Sequence, residues 1–208
     1  MARYIDASCR LCRREGCKLF LKGDRCYTKK CAFERRPTAP GAHGNEKSMK
    51  RPSEYSHQLR EKQKVKRTYG LLEKQMRKYY DKATRTKGVT GELMLSFIER
   101  RLDNVVYRLG FGASRAQARQ IVNHGLITVN GKVVDIASFE VSVGDVIAVK
   151  ESKKDYTMFK NLKDIKVVCP KWLELDMANL SGKVVGLPQR DDIDAGIKET
   201  LIVELYSK

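Results

Sequence analysis

The stretch that decides the fold is residues 101–131, which read RLDNVVYRLGFGASRAQARQIVNHGLITVNG. Its first part places Leu102, Val105, Val106 and Leu109 at the i, i+3, i+4, i+7 spacing of one helix face. Glycines follow soon after, and glycine often ends a helix because it adopts a left-handed backbone conformation without strain. The pattern therefore predicts an amphipathic helix that packs against a core and then stops.

A second helix and a hairpin are predicted in the remainder of this stretch. Ser114, with Gln117 three residues later, forms the capping-box pattern that starts a helix. The Asn-Gly pair at residues 130–131 lies between β-branched runs and indicates a tight hairpin turn. Residues 141–149 supply further strand, with a turn at their Gly-Asp pair. A helix pair packed on a small sheet is an α+β arrangement.

The second helix has a polar side that suggests RNA binding. At 100° per residue, Arg115, Arg119 and Asn123 fall on one side, and small or branched apolar residues fall on the other. We expect this polar side to be exposed and to contact phosphates. His124 has no metal ligand or nucleophile at a suitable spacing, so capping or RNA contact is a better interpretation than catalysis.

The positive charge of the chain is concentrated on its N-terminal side. Of 208 residues, 42 are Lys or Arg and 25 are Asp or Glu, which gives a formal net charge of +17. Residues 1–70 hold 19 basic and 7 acidic side chains, whereas residues 151–208 hold 10 of each. Such a segregated excess favours a polyanionic partner. Nucleic acid is preferred over lipid because no basic helix with a bulky apolar face is evident.

The sequence argues against a membrane span and a secretory signal. The longest stretch without a charged residue is residues 120–131, which is 12 residues, whereas a spanning helix needs about 20. Arg3, Asp6 and Arg10 interrupt any apolar run at the N-terminus. We therefore expect a cytoplasmic protein whose cysteines are reduced.

Four of the six cysteines form two spaced pairs, Cys9 with Cys12 and Cys26 with Cys31. In a reducing compartment this spacing favours a metal over disulfides. Four thiolates predict one tetrahedral zinc ion, with an iron–sulfur cluster as the alternative. No His or carboxylate is spaced with them to leave an open position, so the metal would be structural. We expect the neighbouring Lys and Arg residues to lower the pKa of these thiols.

Two further helices are predicted after a turn-rich connector. Residues 53–69 lack Gly and Pro and should form a helix that ends at Gly70. Most of its surface is basic and its apolar stripe is thin, so we expect it to contact phosphates. Residues 71–83 have a broad apolar face that favours core packing, with Tyr79 and Tyr80 as a less favoured base-stacking platform.

The C-terminal third has the weakest pattern. Trp172 and the leucines that follow it indicate packing. Residues 201–206 alternate as a strand would. The balanced charge of residues 151–208 is consistent with an internal or protein-facing role.

Together these motifs resemble the family of small-subunit ribosomal protein four. Residues 101–131 are similar to the RNA-binding module of that family. So are MARY at residues 1–4, CRLCRREG at residues 9–16 and LIVELYSK at residues 201–208. The order of knuckle, module and ending is specific, and the length fits the bacterial-type, zinc-knuckle form.

The resemblance implies a particular α+β organisation. A zinc-knuckle arm would occupy residues 1–45, stapled by metal at the four spaced cysteines. A helical domain would be formed by residues 46–92 and 175–208. A small RNA-binding module with a helix pair and a sheet, residues 93–174, would be inserted into it.

The resemblance also implies a function. It is that of a structural constituent of the small ribosomal subunit and a primary binder of 16S ribosomal RNA in assembly. Contact would be made at the 5′ domain junction, beside ribosomal protein five and near the path by which messenger RNA (mRNA) enters. We predict no small-molecule substrate and no membrane partner, and we expect binding without catalysis.

Two other functions compete with this prediction. One is an RNA-modifying enzyme that uses the same module, but no second acid or base is spaced with the acidic residues of the module. The other is a zinc-dependent DNA-binding regulator, but Cys2His2 spacing is absent. The candidate RNA-binding residues are Arg3, Arg10, Arg13, Arg14, Lys22, Arg25, Arg35, Arg36, Arg51, Arg60, Lys62, Lys64, Lys66, Arg67, Arg115, Arg119, Asn123 and His124.

Overall fold

The structure is a computed structural model that describes residues 3–42, 44, 52–160, 168–193 and 196–207. Its helices in chain order are α1 (Ser8–Glu15), α2 (Ala32–Arg35), α3 (Glu54–Thr68), α4 (Glu73–Arg85), α5 (Thr90–Glu99), α6 (Leu102–Arg108), α7 (Arg115–Asn123), α8 (Thr157–Lys160) and α9 (Glu199–Tyr206). Its strands are β1 (Ile127–Val129), β2 (Lys132–Val133), β3 (Val146–Val149), β4 (Leu173–Asp176) and β5 (Ser181–Val184). Short 3₁₀ helices lie at Gly23–Tyr27, Glu151–Lys153 and Arg190–Asp192.

The chain forms two compact units. The first comprises Met1–Met94 and Ala195–Lys208, and the second comprises Leu95–Asp194. The second unit is thus bracketed in sequence by the two parts of the first. No helix in the described ranges is both long enough and apolar enough to cross a bilayer.

In the first unit, α3 packs against α9. The hydroxyl of Ser53 caps α3 by accepting a hydrogen bond from the backbone N–H of Ser56 at 3.3 Å. The helix ends at Gly70, whose φ of +65° lets Leu71 donate its N–H back to the carbonyl of Lys66 at 2.8 Å. The helix predicted over residues 53–69 is therefore confirmed.

The last helix differs from the sequence prediction. Residues 201–206 were expected to alternate as a strand, but they form most of α9. Short apolar runs do not distinguish a helix from a strand. Here Ile202 is fully buried while its neighbours are partly covered. Packing on α3 therefore decides the conformation.

In the second unit, the fold-deciding stretch forms the predicted elements. Leu102, Val105, Val106 and Leu109 are all fully buried in the core. The hydroxyl of Ser114 accepts from the N–H of Gln117 at 3.3 Å and starts α7. The Gln117 side chain returns to the N–H of Ala113 at 2.9 Å, one residue before the position of a standard capping box.

One antiparallel sheet of five strands, in the order β2-β1-β3-β5-β4, covers the helix pair. Asn130 and Gly131 both have positive φ, +50° and +78°, as the predicted hairpin turn requires. The strand expected in residues 141–149 begins only at Val146, because residues 142–145 form a turn before it, in which Asp145 donates its N–H to the carbonyl of Ser142 at 3.1 Å.

The sheet also places part of the C-terminal third. Strands β4 and β5 complete the sheet of the second unit, and Trp172 and Leu173 lie in its core. Residues 175–193 thus belong to the second unit, whereas the sequence prediction placed them in the helical domain. Pairing of β5 with β3 is the physical reason for this difference. The predicted α+β class is confirmed.

Candidate nucleic-acid interface

The four spaced cysteines line one cavity in the N-terminal arm, which we define as residues 3–36. Cys12 lies on α1, Cys26 in the 3₁₀ helix Gly23–Tyr27, and Cys31 immediately before α2. These three residues are buried, and Cys9 is half-buried. The structure thus brings together side chains that are up to 22 positions apart in sequence.

The surroundings of these thiols partly suit a metal. The backbone N–H of Lys22 donates to Sγ of Cys26 at 3.4 Å, and such donors stabilise a thiolate. Burial raises the pKa of Cys12, a backbone hydrogen bond from Leu19 opposes this, and Cys26 and Cys9 raise the pKa further. The expectation that nearby cations lower the thiol pKa is therefore wrong for Cys12, because its burial is the larger effect.

Sulfur donors suit zinc or an iron–sulfur cluster. Within the described ranges, however, no group of three or more His, Cys, Asp or Glu side chains has an arrangement that could hold a metal ion. The donor type and the shared cavity fit the metal, whereas the ligand geometry is not formed. The metal therefore stays a prediction.

Most of the predicted RNA-binding cations of the arm are on its surface. Arg13 is the exception, because it is half-buried and donates to the carbonyls of Thr38 at 2.8 Å and Ala39 at 3.3 Å. Its guanidinium thus stabilises the connector that follows the arm. The exposed members are Arg3, Arg10, Arg14, Lys22, Arg25, Arg35 and Arg36. Arg51 lies outside the described residues.

On α3, two predicted phosphate ligands are held by an acid from the arm. Arg60 contacts Oε1 of Glu15 at 3.2 Å, and Arg67 donates to the same oxygen. The Glu15 side chain is only 1% exposed. Burial raises the pKa of Glu15, and Arg67 and Arg60 partly offset this effect.

Two more α3 cations are held by an acid from α4. Lys62 and Lys66 contact the two carboxylate oxygens of Glu73 at 2.7 and 3.0 Å. Burial by itself would raise the pKa of Glu73, but hydrogen bonds from Lys62, Lys66 and Tyr206 outweigh it and lower the pKa to about 2. The Tyr206 hydroxyl donates to Oε1 of Glu73 at 2.8 Å.

Lys64 completes this pattern. It lies 3.7 Å from Glu61 and donates to the carbonyl of Gly196. The expectation that α3 contacts phosphates stays a prediction, but the cations named for that contact already have partners within the protein. Its cations bind acids and a carbonyl, mostly from other elements, which the composition of the helix itself could not reveal.

The predicted polar side of α7 is also largely covered. Arg119 is buried and lies 3.6 Å from Oδ2 of Asp103 on α6. Arg115 is half-buried, donates to Oδ1 of Asn104 at 2.9 Å, and lies 4.6 Å above the ring of Tyr107. The expectation that this side is exposed is wrong for Arg119, because α6 packs against it.

Asn123 and His124, at the end of α7, are exposed as predicted. Nε2 of His124 lies 3.4 Å from the side-chain nitrogen of Gln120, one turn earlier on the same helix. The accessible part of this predicted site is therefore the C-terminal end of α7.

Sequence reasoning missed a basic stripe on α4. Its members are exposed and recur at i, i+4, i+8 and i+11 on the face away from the buried Met76. The same helical spacing revealed the apolar face of this segment and could have revealed the stripe. The residues of the α4 stripe are Lys74, Lys78, Lys82 and Arg85.

Comparison with known proteins defines the class. Residues 3–99 match the family model described as the ribosomal protein S4/S9 N-terminal domain, and residues 100–147 match the S4 domain. The fold and the basic surfaces are thus those of a ribosomal protein that carries an S4 domain.

Full-length relatives specify the family. Small ribosomal subunit protein uS4A of Clostridium novyi (strain NT) is 60% identical over 208 residues, which is all of both chains. Protein uS4 of Caldicellulosiruptor saccharolyticus is 61% identical over 210 residues, and uS4A of Clostridium perfringens (strain 13) is 61% identical over 208, again with full coverage. The chain belongs to the uS4 family of small ribosomal subunit proteins, as its resemblance indicated.

Proposed function

We propose that this protein is a structural constituent of the small ribosomal subunit and a primary assembly protein that binds 16S ribosomal RNA at the 5′ domain junction. The observation that carries the proposal is the exposed basic surface of the N-terminal arm. Family membership supports it, because the relatives are small-subunit proteins by name. Ribosomal proteins act in the cytoplasm, where ribosomes assemble.

The mechanism is electrostatic. Lys and Arg on the arm and on the α4 stripe neutralise phosphates and release condensed counterions. The deep major groove of A-form RNA resists side-chain reading, so specificity comes from the shape of the folded junction. Because the arm and the α4 stripe belong to one chain, contact through the second surface is effectively intramolecular, which strengthens binding.

We propose that the four cavity cysteines hold one structural zinc ion, with an iron–sulfur cluster as the alternative. When bound, the metal would cross-link α1 to the segments that carry Cys26 and Cys31. The residues themselves supply the sulfur donors, and the backbone N–H of Lys22 orients Cys26. The cavity they share supports this assignment.

The proposed neighbours are ribosomal protein five and mRNA on its path into the ribosome. These partners rest on the resemblance of the sequence to its family. The relatives belong to a class of proteins that are not enzymes, which supports binding over the alternative of an RNA-modifying enzyme.

The test is binding to a transcript of the 16S 5′ domain over a range of salt concentrations. We expect tight binding whose log–log salt slope is on the order of −0.7 to −0.9 per phosphate contacted. The double variant that carries Lys74→Gln and Lys78→Gln should bind more weakly. Its salt slope should be less steep by the amount expected for the loss of about one to two phosphate contacts. The control, Lys171→Gln with Lys183→Gln, removes the same charge from exposed positions in the second unit.

The control pair should bind as the unchanged protein does. A transcript bound no better than duplex DNA of equal length would contradict the proposed function. If the two double variants had equal salt slopes, the α4 stripe would not be part of the RNA-binding surface. The assignment of the arm to that surface would be unaffected.

A further inference from the structure

An aromatic pair lies on the surface of the N-terminal arm. The rings of Phe20 and Tyr27 stack with their centroids 5.1 Å apart and their planes 27° apart. Tyr27 is 71% exposed and Phe20 is 37% exposed. Two stacked rings with this much contact with solvent present an aromatic surface to whatever binds the arm.

Both aromatic residues are anchored next to buried residues of the arm. Leu19 and Cys26, which immediately precede the two aromatic residues, are 4% and 8% exposed. Phe20 has φ +49°, a left-handed conformation that is uncommon for a bulky residue. Such strain persists only where the surrounding structure enforces it. Each aromatic residue thus follows a buried residue and is itself exposed.

The aromatic pair lies within a strongly basic segment. Residues 18–30 hold five basic side chains and one acidic side chain, Asp24. Lys18 contacts Glu34. The exposed cations of this segment are Lys22, Arg25, Lys29 and Lys30. An exposed aromatic surface beside several cations is complementary to a nucleic-acid strand, whose bases stack and whose phosphates attract positive charge.

We propose that Phe20 and Tyr27 form a stacking site for an unpaired nucleobase of RNA, with Lys22 and Arg25 contacting the adjacent phosphates. This inference rests on the proposed function and deepens it by naming the kind of nucleotide that the arm binds. Bases within a duplex already stack on one another. The pair can therefore engage only a base that is splayed out in a loop, a bulge or a junction.

The experiment uses the full chain and one short oligoribonucleotide with an internal 2-aminopurine. The strand is tested single and annealed to its complement. We expect the unchanged protein to quench the fluorescence of the single strand, as stacking does. Tyr27→Ala should lose the quenching and bind the single strand about tenfold more weakly, while its affinity for the duplex is unchanged.

Substitutions at Tyr27 separate stacking from packing. Tyr27→Leu keeps apolar bulk without a ring and should behave as Tyr27→Ala does, whereas Tyr27→Trp should retain binding and quenching. The matched control is Tyr55→Ala on α3, which removes another exposed tyrosine, 57% exposed, from the same unit. This control should bind both probes as the unchanged protein does. Circular dichroism of each variant verifies that the fold is kept.

The possible failures are distinguishable. Equal affinity of Tyr27→Ala and the unchanged protein for the single strand would overturn the stacking site while leaving salt-dependent RNA binding intact. Restoration of binding by Tyr27→Leu, or an equal loss on the duplex, would also overturn it. If the unchanged protein bound neither probe nor the 5′ domain transcript, both this inference and the proposed function would fail.

Discussion

Glu15, at the end of α1, accepts a hydrogen bond from Arg67 on α3, and its carboxylate is almost completely buried. Arg60 shares the same carboxylate oxygen. One acid from the arm thus binds two cations of the helix that follows the connector. Within the first unit, this ion pair attaches α1 to α3.

Glu15→Gln should loosen that attachment. The amide keeps the size of the side chain but removes the charge that both arginines face, at a cost of about 2 kcal/mol in the free energy of unfolding. Urea denaturation measures the change. Glu54→Gln, at an exposed position in the first turn of α3, is the control and should change stability little. Equal stabilities for the two variants would show that the Glu15 pairs contribute nothing.

The free energy of unfolding should depend on the ionisation of Glu73 at acid pH. Its pKa lies at about 2 in the folded protein, below the ordinary 4.5, so its contribution is complete above about pH 4.5 and is lost as pH falls toward 2. The side chain is 47% exposed, so solvent screening limits the contribution to about 1 kcal/mol. Unfolding of Glu73→Gln and of the unchanged protein at a series of pH values measures it.

The free energies of unfolding of Glu73→Gln and of the unchanged protein should converge as the pH falls from about 4.5 toward 2. A constant gap across the whole window would contradict the assignment. Tyr206→Phe, which removes one hydrogen bond to Glu73 and keeps the ring, should show a smaller gap of the same sign.

Arg119→Met should lower the stability of the second unit rather than act mainly on RNA binding. The change removes the guanidinium from Asp103, which retains Arg101 through bonds of 3.0 and 2.6 Å. We expect a loss of about 1 to 3 kcal/mol in the free energy of unfolding, measured by thermal denaturation. Asn123→Ala, at the exposed end of the same helix, should leave the melting temperature nearly unchanged.

The opposite result for Arg119→Met would be informative. Unchanged stability together with a clear loss of affinity for the 5′ domain transcript would restore Arg119 as a phosphate ligand, in spite of its burial.

Cys26→Ser should abolish metal binding if the cavity holds zinc. One ligand of four is lost, and metal binding in such small sites is coupled to folding. The arm should then become sensitive to proteolysis while the second unit stays resistant. Elemental analysis distinguishes zinc from iron. The control is Cys169→Ser, which lies in the second unit. Unchanged metal content in Cys26→Ser would refute the ligand assignment.

The elements of residues 101–131 could be predicted because their signals are local. Helix spacing, the Ser114 cap and the Asn130-Gly131 turn depend only on neighbours within a few residues. The membership of residues 175–193 could not be predicted in this way. It depends on pairing between β3 and β5, which are more than 30 residues apart in sequence.

The candidate site divides along the same line. The abundance of arm cations could be read from the sequence, and most of those named as candidate RNA-binding residues are exposed. The burial of Arg119 and the pairing of Lys62 did not follow. Their partners, Asp103 and Glu73, come from neighbouring helices.

The sequence by itself determined the family, the α+β class, the hairpin and the concentration of positive charge, because each is carried by residue types at short spacing. Only the tertiary structure decided which cations face solvent and which form ion pairs within the protein. It also decided that Phe20 and Tyr27 meet on the surface and that residues 201–206 form a helix rather than a strand. Those outcomes depend on which residues pack against each side chain, and these residues are distant from it in the sequence.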